Sequence, residues 1–330
     1  MNLFKPSPLS LCVALATATL ACAAHAHEYE ALLKAKKYDE VDRATQAALA
    51  TNPTQVDALL GRIDLMLAQG QDKQIDEAVK LAEQCVQAHP QNADCHEAVG
   101  NSLGSKAIRA GVMSAMGYLG KIRDAFKKAI ELDPKNTDAR FSLLQYYQQV
   151  PGIMGGGSSN AKELVAQTQK INPEAARLMQ GNLDLADKDT AKVEAAVLAP
   201  LSADNKSLEK NQRGLMVSLG FYYAQEKKYT EALRVFNDIH KRFPDNETAV
   251  FGMGRVLQEQ GKHAEAIAQF DKALGMKPSA PMHYRIGQSW QALNDKPKAI
   301  ASYERALGFK PVLGKKQLED AQEQLKSLKG

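Results

Sequence analysis

The sequence predicts an all-α fold made of repeated helix pairs. Its 330 residues are 44% hydrophobic and 24% charged, as in an ordinary globular protein, but only 6% aromatic, with a single Trp. A chain poor in aromatic residues and rich in alanine favours closely packed helices over strands. Small and aromatic residues also recur about every 34 residues in the last third of the chain, which indicates stacked structural repeats.

Four kinds of residue keep this period. They are Gly220, Gly254 and Gly287; Ala232, Ala266 and Ala299; Phe236, Phe270 and Tyr303; and Pro244, Pro278 and Pro311. The small residues let two helix axes approach, the aromatic ring fills the gap beside them, and proline ends the second helix. This pattern resembles the tetratricopeptide repeat (TPR), whose unit is an antiparallel helix pair. The resemblance implies a TPR-type α-solenoid, a right-handed superhelix of about eight pairs with a C-terminal capping helix.

Weaker copies of the repeat precede the regular ones. Pro53, Pro90, Pro134 and Pro173 each close a unit at less even spacing. We therefore expect one continuous solenoid over 27–330. Its predicted parts are N-terminal TPR-like units with two insertions at 27–175, a degenerate unit at 176–212, three regular units at 213–313 and the capping helix at 314–330.

Residues 1–26 have the features of a cleaved export signal. Lys5 precedes an apolar run from Leu9 to Ala21, and Ala24-His25-Ala26 fits a cleavage site. We therefore expect a periplasmic or secreted protein. The alternative is an outer-membrane lipoprotein modified at Cys22, although the usual leucine three residues earlier is missing. No later stretch reaches the roughly 18 apolar residues of a membrane-spanning helix.

Cys85 and Cys95 lie on either side of a turn at Pro90. One belongs to the helix that enters the turn and the other to the helix that leaves it, so antiparallel packing should bring them face to face. We predict a disulfide, with two unlinked packing thiols as the alternative. Only His89 and His96 lie nearby, so we expect no metal site, and no motif indicates a cofactor.

Two insertions interrupt the repeats, within 104–121 and 150–160. Insertions project from one edge of a solenoid, so these two should be neighbours and form a ridge. The ridge either binds a partner protein or consists of two insertions that only pack on each other. The segment from Gly117 to Asp133, together with the Pro-Gly-Ile-Met-Gly-Gly turn, resembles a set of exported bacterial TPR proteins. The candidate ridge residues are Met113, Met116, Tyr118, Ile153 and Met154.

Two segments match catalytic sequence motifs, but their positions in the repeat argue against a catalytic role. Gly100-Asn101-Ser102-Leu103-Gly104 has the G-x-S-x-G spacing, but Gly100 is the helix-crossing residue of a repeat. Ser102 should therefore lie on a helix, not on the strained turn that activates a nucleophile. His96-Glu97 begins an H-E-x-x-H pattern in which Gly100 replaces the second histidine. We expect that the protein is not an enzyme.

The resemblance implies a concave groove lined by the first helix of each pair, where the family binds extended peptides or partner helices. Glutamine can pair with a peptide backbone, and an arginine such as Arg255 can bind a carboxylate. The groove positions are Phe141, Gln145 and Gln148 in the fourth unit; Val217, Phe221 and Gln225 in the sixth; Phe251, Arg255 and Gln258 in the seventh; and Tyr284, Gln288 and Gln291 in the eighth.

The expected function is a scaffold or adaptor that binds proteins or peptides in envelope assembly, secretion or quality control, with a membrane-associated complex as one setting. The alternative is a small-molecule receptor or transport-accessory protein. The net charge is only +4, with both signs mixed along the chain, so we expect no nucleic-acid partner.

Overall fold

The computed structural model of this chain describes residues 29–309 and 313–330. These residues fold into pairs of helices. Within these ranges there is no strand. The predicted export signal, Cys22 and Pro311 lie outside the described residues. Of the helices that are described, none has the length and apolar character needed to cross a membrane.

The chain divides into two compact units, Met1–Ala176 and Arg177–Gly330. The division falls within one helix, close to the predicted start of the degenerate unit. After a helical stretch at 29–34, the first unit contains α1 (Tyr38–Thr51), α2 (Val56–Gln69), α3 (Asp72–Ala88), α4 (Ala93–Ala110), the short α5 (Val112–Ala115), α6 (Leu119–Leu132), α7 (Thr137–Gln149), α8 (Ser158–Gln169) and the start of α9 (Pro173–Ala186).

The second unit contains the remainder of α9 and eight further helices among the described residues. These are α10 (Thr190–Leu198), α11 (Glu209–Gln225), α12 (Tyr229–Arg242), α13 (Glu247–Glu259), α14 (His263–Met276), α15 (Ala280–Ala292), α16 (Lys296–Gly308) and α17 (Lys315–Lys329). We call the first helix of each pair its A helix and the second its B helix. In this unit α9, α11, α13 and α15 are A helices.

Proline and asparagine mark the boundary between one pair and the next. The B helix α3 ends before Pro90, and the side chain of Asn92 accepts a hydrogen bond from the Cys95 amide at the start of α4. Asn136 and Asn246 cap α7 and α13 in the same way, each two residues after a proline. Proline cannot continue a helix, and the asparagine oxygen satisfies a free amide, so this short sequence separates the pairs.

In each regular pair, an aromatic ring of the B helix packs against a glycine of the A helix and stabilises the contact between the two helices. A Cβ atom added at Gly220 would come within 2.8 Å of the Phe236 ring, and one at Gly254 within 2.6 Å of the Phe270 ring. Both rings are fully buried. The bare glycine backbone therefore allows an approach that no other residue permits. The corresponding contacts elsewhere are Gly100 with Phe126 and Gly287 with Tyr303.

The degenerate region has helices of its own. After α10 the chain forms a 3-10 segment at Ala203–Leu208, and α11 begins at Glu209, before the predicted start of the regular units. The buried side chain of Gln212 donates hydrogen bonds to the carbonyls of Val197 and Ala199, at 2.9 Å each, and accepts one from Arg242 at 2.8 Å. A buried amide with its partners satisfied fixes one arrangement of these segments.

The predicted disulfide between Cys85 of α3 and Cys95 of α4 is present, with the two Cα atoms 5.4 Å apart. Both residues are completely buried and pack with Leu59 of α2. The bond therefore ties a B helix to the next A helix inside the core of the first unit.

We expect the Cys85→Ala/Cys95→Ala double variant to be less stable than the oxidised protein. Closing a loop of 10 residues lowers the entropy of the unfolded chain, which corresponds to about 3 kcal/mol. Urea unfolding of both proteins, with and without a reductant, measures the difference. Equal midpoints for the oxidised wild type and the variant would contradict a structural role.

Two glycines of α4 should respond in opposite ways to alanine. A Cβ atom at Gly100 would lie 2.5 Å from the Phe126 ring, whereas one at Gly104 has no neighbour within 4 Å. We expect Gly100→Ala to destabilise the protein by about 1–3 kcal/mol through overpacking. Gly104→Ala should stabilise it by about 0.5–1 kcal/mol, since alanine is the better helix former. Urea midpoints that shift in the same direction for both variants would refute this.

Candidate functional site

Groove positions of two successive A helices converge in the second unit. Phe221 and Gln225 of α11 and Arg255 of α13 line a surface pocket of about 660 Å³, together with Leu185, Ser218, Tyr222 and Glu259. The resemblance to the tetratricopeptide repeat implied that the first three residues lie in the groove. The structure adds polar and aromatic neighbours from the same two helices and Leu185 from α9. We call this surface the Arg255 pocket.

Arg255 is held over an aromatic ring. Its guanidinium carbon lies 5.1 Å from the centre of the Phe221 ring, a distance at which a cation is attracted to the ring face. One terminal nitrogen lies 3.4 Å from the carboxylate of Glu259. The Nε atom is buried and has no partner in the described part of the chain. The buried Nε is not accessible to a ligand, but the side chain is 30% exposed, so its terminal nitrogens can donate to a ligand carbonyl or carboxylate.

Gln258, expected to contact a ligand, is instead buried. Its side-chain nitrogen donates to the Arg285 carbonyl and to the Ser289 hydroxyl, both at 2.8 Å. Its oxygen accepts a hydrogen bond from the Arg285 guanidinium at 3.2 Å. This amide joins α13 to α15, so its hydrogen bonds stabilise the unit and leave little for a ligand.

The groove positions of the eighth pair contact the C-terminal helix α17. The buried Tyr284 donates to Asp320 at 2.6 Å and accepts from Gln288 at 2.7 Å. Burial, with the Asp320 carboxylate as its hydrogen-bond partner, raises the pKa of Tyr284 to about 12. Gln291 donates to Gln324 at 2.8 Å. The capping helix covers this part of the A-helix surface, which explains why these side chains are bonded within the protein.

The remaining groove candidates differ in exposure. Phe141 and Val217 are half-buried, as is Phe251, whose ring centre lies 5.6 Å from that of Phe270. Gln145 and Gln148 are exposed on α7. Of these, Gln145 lines an apolar pocket of about 340 Å³ in the first unit, described next.

The apolar pocket lies between α4, α6 and α7. Gly100 and Gly104 of α4 line it with Ile122 and Phe126 of α6 and Tyr146 of α7. Ile108, near the end of α4, also lines it and is 76% exposed. The Phe126 ring packs against Gly100, whereas a Cβ atom at Gly104 would have no neighbour within 4 Å, so the pocket is open beside Gly104.

An acidic pocket of about 310 Å³, which was not predicted from the sequence, lies beside the apolar pocket. Six carboxylates line this pocket, and Asn101 lines both pockets. The signal was available, because Glu97 and Asn101 stand at the same positions relative to Gly100 as Phe251 and Arg255 do relative to Gly254. The acidic residues are Glu30, Asp57, Asp64, Asp94, Glu97 and Asp138.

Glu97 is the carboxylate of this pocket with the most distinctive surroundings. Its oxygens accept hydrogen bonds from Asn136 at 2.7 Å and from Asn101 at 3.3 Å. Burial raises the pKa of Glu97, and the nearby carboxylates of Asp138 and Asp94 raise it further, while the two amide hydrogen bonds oppose the rise. Burial likewise raises the pKa of Asp94. The charges that shift these two pKa values are all carboxylates, those of Asp57, Asp94, Asp133 and Asp138.

The candidate ridge residues vary in exposure. Met116 is 52% exposed and Ile153 97% exposed, whereas Tyr118 and Met154 are half-buried. The side chain of Met113 lies outside the described residues. The Tyr146 hydroxyl donates to the Met154 carbonyl at 3.0 Å, so the second insertion is tied to its own A helix. The 3-10 segment Gly152–Met154 lies within this insertion.

The structure agrees with the sequence on the context of Ser102. This residue lies within α4 and is fully buried, and its hydroxyl has no partner among the described residues. Among the same described residues, no group of three His, Cys, Asp or Glu side chains is arranged to hold a metal ion.

Comparison with known proteins finds the same repeat. Two sequence profiles, both described as tetratricopeptide repeat, match residues 223–286 and 280–312. Superkiller complex protein 3 of Mus musculus is 27% identical over 164 residues, or 49% of this chain. Protein CTR9 homolog of Arabidopsis thaliana is 26% identical over 291 residues, or 79% of this chain. The matches cover 10% and 24% of those two proteins, so the chain spans about a quarter of their length at most.

Two solved structures complete the comparison. A tetratricopeptide repeat protein from Parabacteroides merdae matches with 14% identity and a TM-score of 0.45, over 94% of this chain and 100% of its own. The Cut9-Hcn1 hetero-tetramer of APC/C matches with 14% identity and a TM-score of 0.48, over 91% of this chain and 54% of its own.

The stability of the protein should depend on the charge of Glu97. The pKa of Glu97 in the folded protein is raised above the ordinary 4.5. Protonated Glu97 therefore contributes its full stabilisation to the folded state below pH 4.5, and this stabilisation is lost as the pH rises through the raised pKa. Glu97→Gln stays neutral. We therefore expect the melting temperature of this variant, relative to wild type, to increase between pH 3 and pH 7.

The matched control is Glu83→Gln, on the exposed surface of α3. Its melting temperature relative to wild type should change less over the same pH range. A Glu97→Gln difference that is flat with pH, or that falls as pH rises, would contradict the electrostatic account.

Proposed function

Since residues 223–312 match tetratricopeptide repeat profiles and the described residues are all-α and form helix pairs, we propose that this chain is a non-catalytic scaffold that binds extended segments of partner proteins on its A helices. One observation carries this proposal. Phe221, Gln225 and Arg255, from two successive A helices, line one open pocket. An aromatic ring, an amide and a stacked guanidinium supply an apolar contact, a backbone hydrogen bond and a carboxylate contact respectively.

The shape of the pockets favours a peptide over a small molecule. The three pockets described above are open to the surface, whereas small-molecule sites usually bury most of the ligand. The mouse relative is named as a complex protein, which is consistent with a scaffold. We therefore prefer an adaptor role to a receptor role.

We further propose that the scaffold is exported and acts in envelope assembly, secretion or quality control. The support is the sequence of residues 1–26, with its cation, apolar run and Ala-His-Ala site. A disulfide inside the core is compatible with an oxidising compartment.

Intact mass of the protein recovered from the envelope fraction should show the loss of residues 1–26. A full-length mass would refute export by cleavage, and a lipid-modified Cys22 at the new N-terminus would favour the anchored form.

A photo-crosslinking residue at position 225 tests the scaffold function. Gln225 is exposed at the Arg255 pocket, so the change should not disturb the fold. We expect discrete crosslinked partners from envelope extracts, with a yield that falls at least several-fold when Arg255→Ala is added. The control carries the crosslinker at Lys241, an exposed residue of the B helix α12. Identical products from both positions, or none from position 225, would overturn the proposal.

A further inference from the structure

The apolar pocket of the first unit has room for a large side chain. It measures about 340 Å³ and lies against the C-terminal half of α4, beside Gly104. Ile122 and Phe126 supply its apolar wall from α6. Ile108 extends the apolar surface at the end of α4 and is mostly exposed. A single exposed apolar residue is ordinary on a protein surface, so the observation that matters is the open pocket beside it, where an apolar side chain of a partner can be buried.

The neighbouring pocket contains three carboxylates, those of Asp57, Asp94 and Glu97, that form no ion pair within the described residues, whereas Glu30 pairs with Lys34. The pocket lies against the N-terminal half of α4. Every charge that shifts the pKa of Asp94 or Glu97 is another carboxylate. Asp57 and Asp94 stand in first turns, where the helix dipole favours an acid. Glu97 lies beyond the first turn, so the dipole does not account for it.

We propose that this face of α4 binds a partner segment that carries a lysine or arginine and, farther along, a large apolar residue. The cation lies against Asp57, Asp94 and Glu97, and the apolar side chain enters the pocket beside Gly104. Asn101, which lines both pockets, is placed to bond the peptide backbone between them. This inference rests on the proposed function, since it specifies the chemistry of a peptide partner, but it uses a surface other than the Arg255 pocket.

The geometry of α4 sets the spacing in the partner. Glu97 and Gly104 are seven residues apart in the sequence, which is about 10 Å along a helix that rises about 1.5 Å per residue. An extended peptide advances about 3.3 Å per residue. The cation and the apolar residue of the partner are therefore about three positions apart.

Synthetic peptides test this chemistry on the full chain. The probe is fluorescein-labelled Gly-Gly-Lys-Ala-Ala-Leu-Gly-Gly, and its two controls replace Lys with Glu or Leu with Ser. Fluorescence anisotropy should show that wild type binds the probe at least about tenfold more tightly than either control. Salt should weaken binding of the probe because the lysine contact is electrostatic. Glu97→Gln should weaken it about tenfold, while the control Glu83→Gln leaves it unchanged.

Gly104→Leu separates the two contacts. A Cβ atom at this position meets no neighbour within 4 Å, so the leucine should fill the pocket without disturbing the fold. The variant should lose the preference for Leu over Ser in the peptide and keep the preference for Lys over Glu. Its melting temperature should not fall, since leucine is a better helix former than glycine.

Equal affinity of wild type for the probe and for either control would overturn the inference. So would binding that neither Glu97→Gln nor Gly104→Leu alters. If position 225 crosslinks to a partner but the Lys and Leu probe does not bind, this inference fails and the scaffold function stands. If neither experiment shows binding, both proposals fail.

Discussion

The close contact of a glycine with an aromatic ring is the constraint on which the regular helix pairs depend. Phe236 illustrates it, because its ring lies against Gly220 of its own pair and also against Gly252 of the next A helix. A Cβ atom at either glycine would overlap the ring. One buried aromatic therefore fixes the crossing within a pair and the stacking of the next pair upon it. Glycine and aromatic residues recur at fixed spacing in the sequence because this packing requires them in each pair.

This constraint engages one side of each A helix and leaves other positions free to vary. Relative to the crossing glycine, the position occupied by Asn101 in the first unit is occupied by Arg255 in the second. Glu97 and Phe251 correspond in the same way. Charge can differ between these positions because neither is the glycine or the aromatic residue that meets at the crossing, although Phe251 packs against the Phe270 ring. The fold thus supplies a scaffold on which local side chains decide what is bound.

Several features were predictable because they depend on residues that are near in sequence. The helix pairs follow from local propensity, proline stops and asparagine caps. The disulfide follows from an antiparallel turn that is only a few residues long. By contrast, the burial of Gln258 depends on Ser289, and that of Tyr284 on Asp320. Those partners lie on other helices, and a repeat pattern read one unit at a time does not include them.

The acidic pocket shows the same distinction. Glu97 occupies a recognisable groove position, but its neighbours Asn136 and Asp138 come from the next pair, and only the fold brings them together. The sequence by itself determined the all-α class, the repeat and the cysteine pair, because each arises from short-range periodicity. The tertiary structure decided which A-helix positions are buried by neighbouring helices and which are open to a partner. Burial depends on contacts between helices, and those contacts are fixed only once the pairs are stacked.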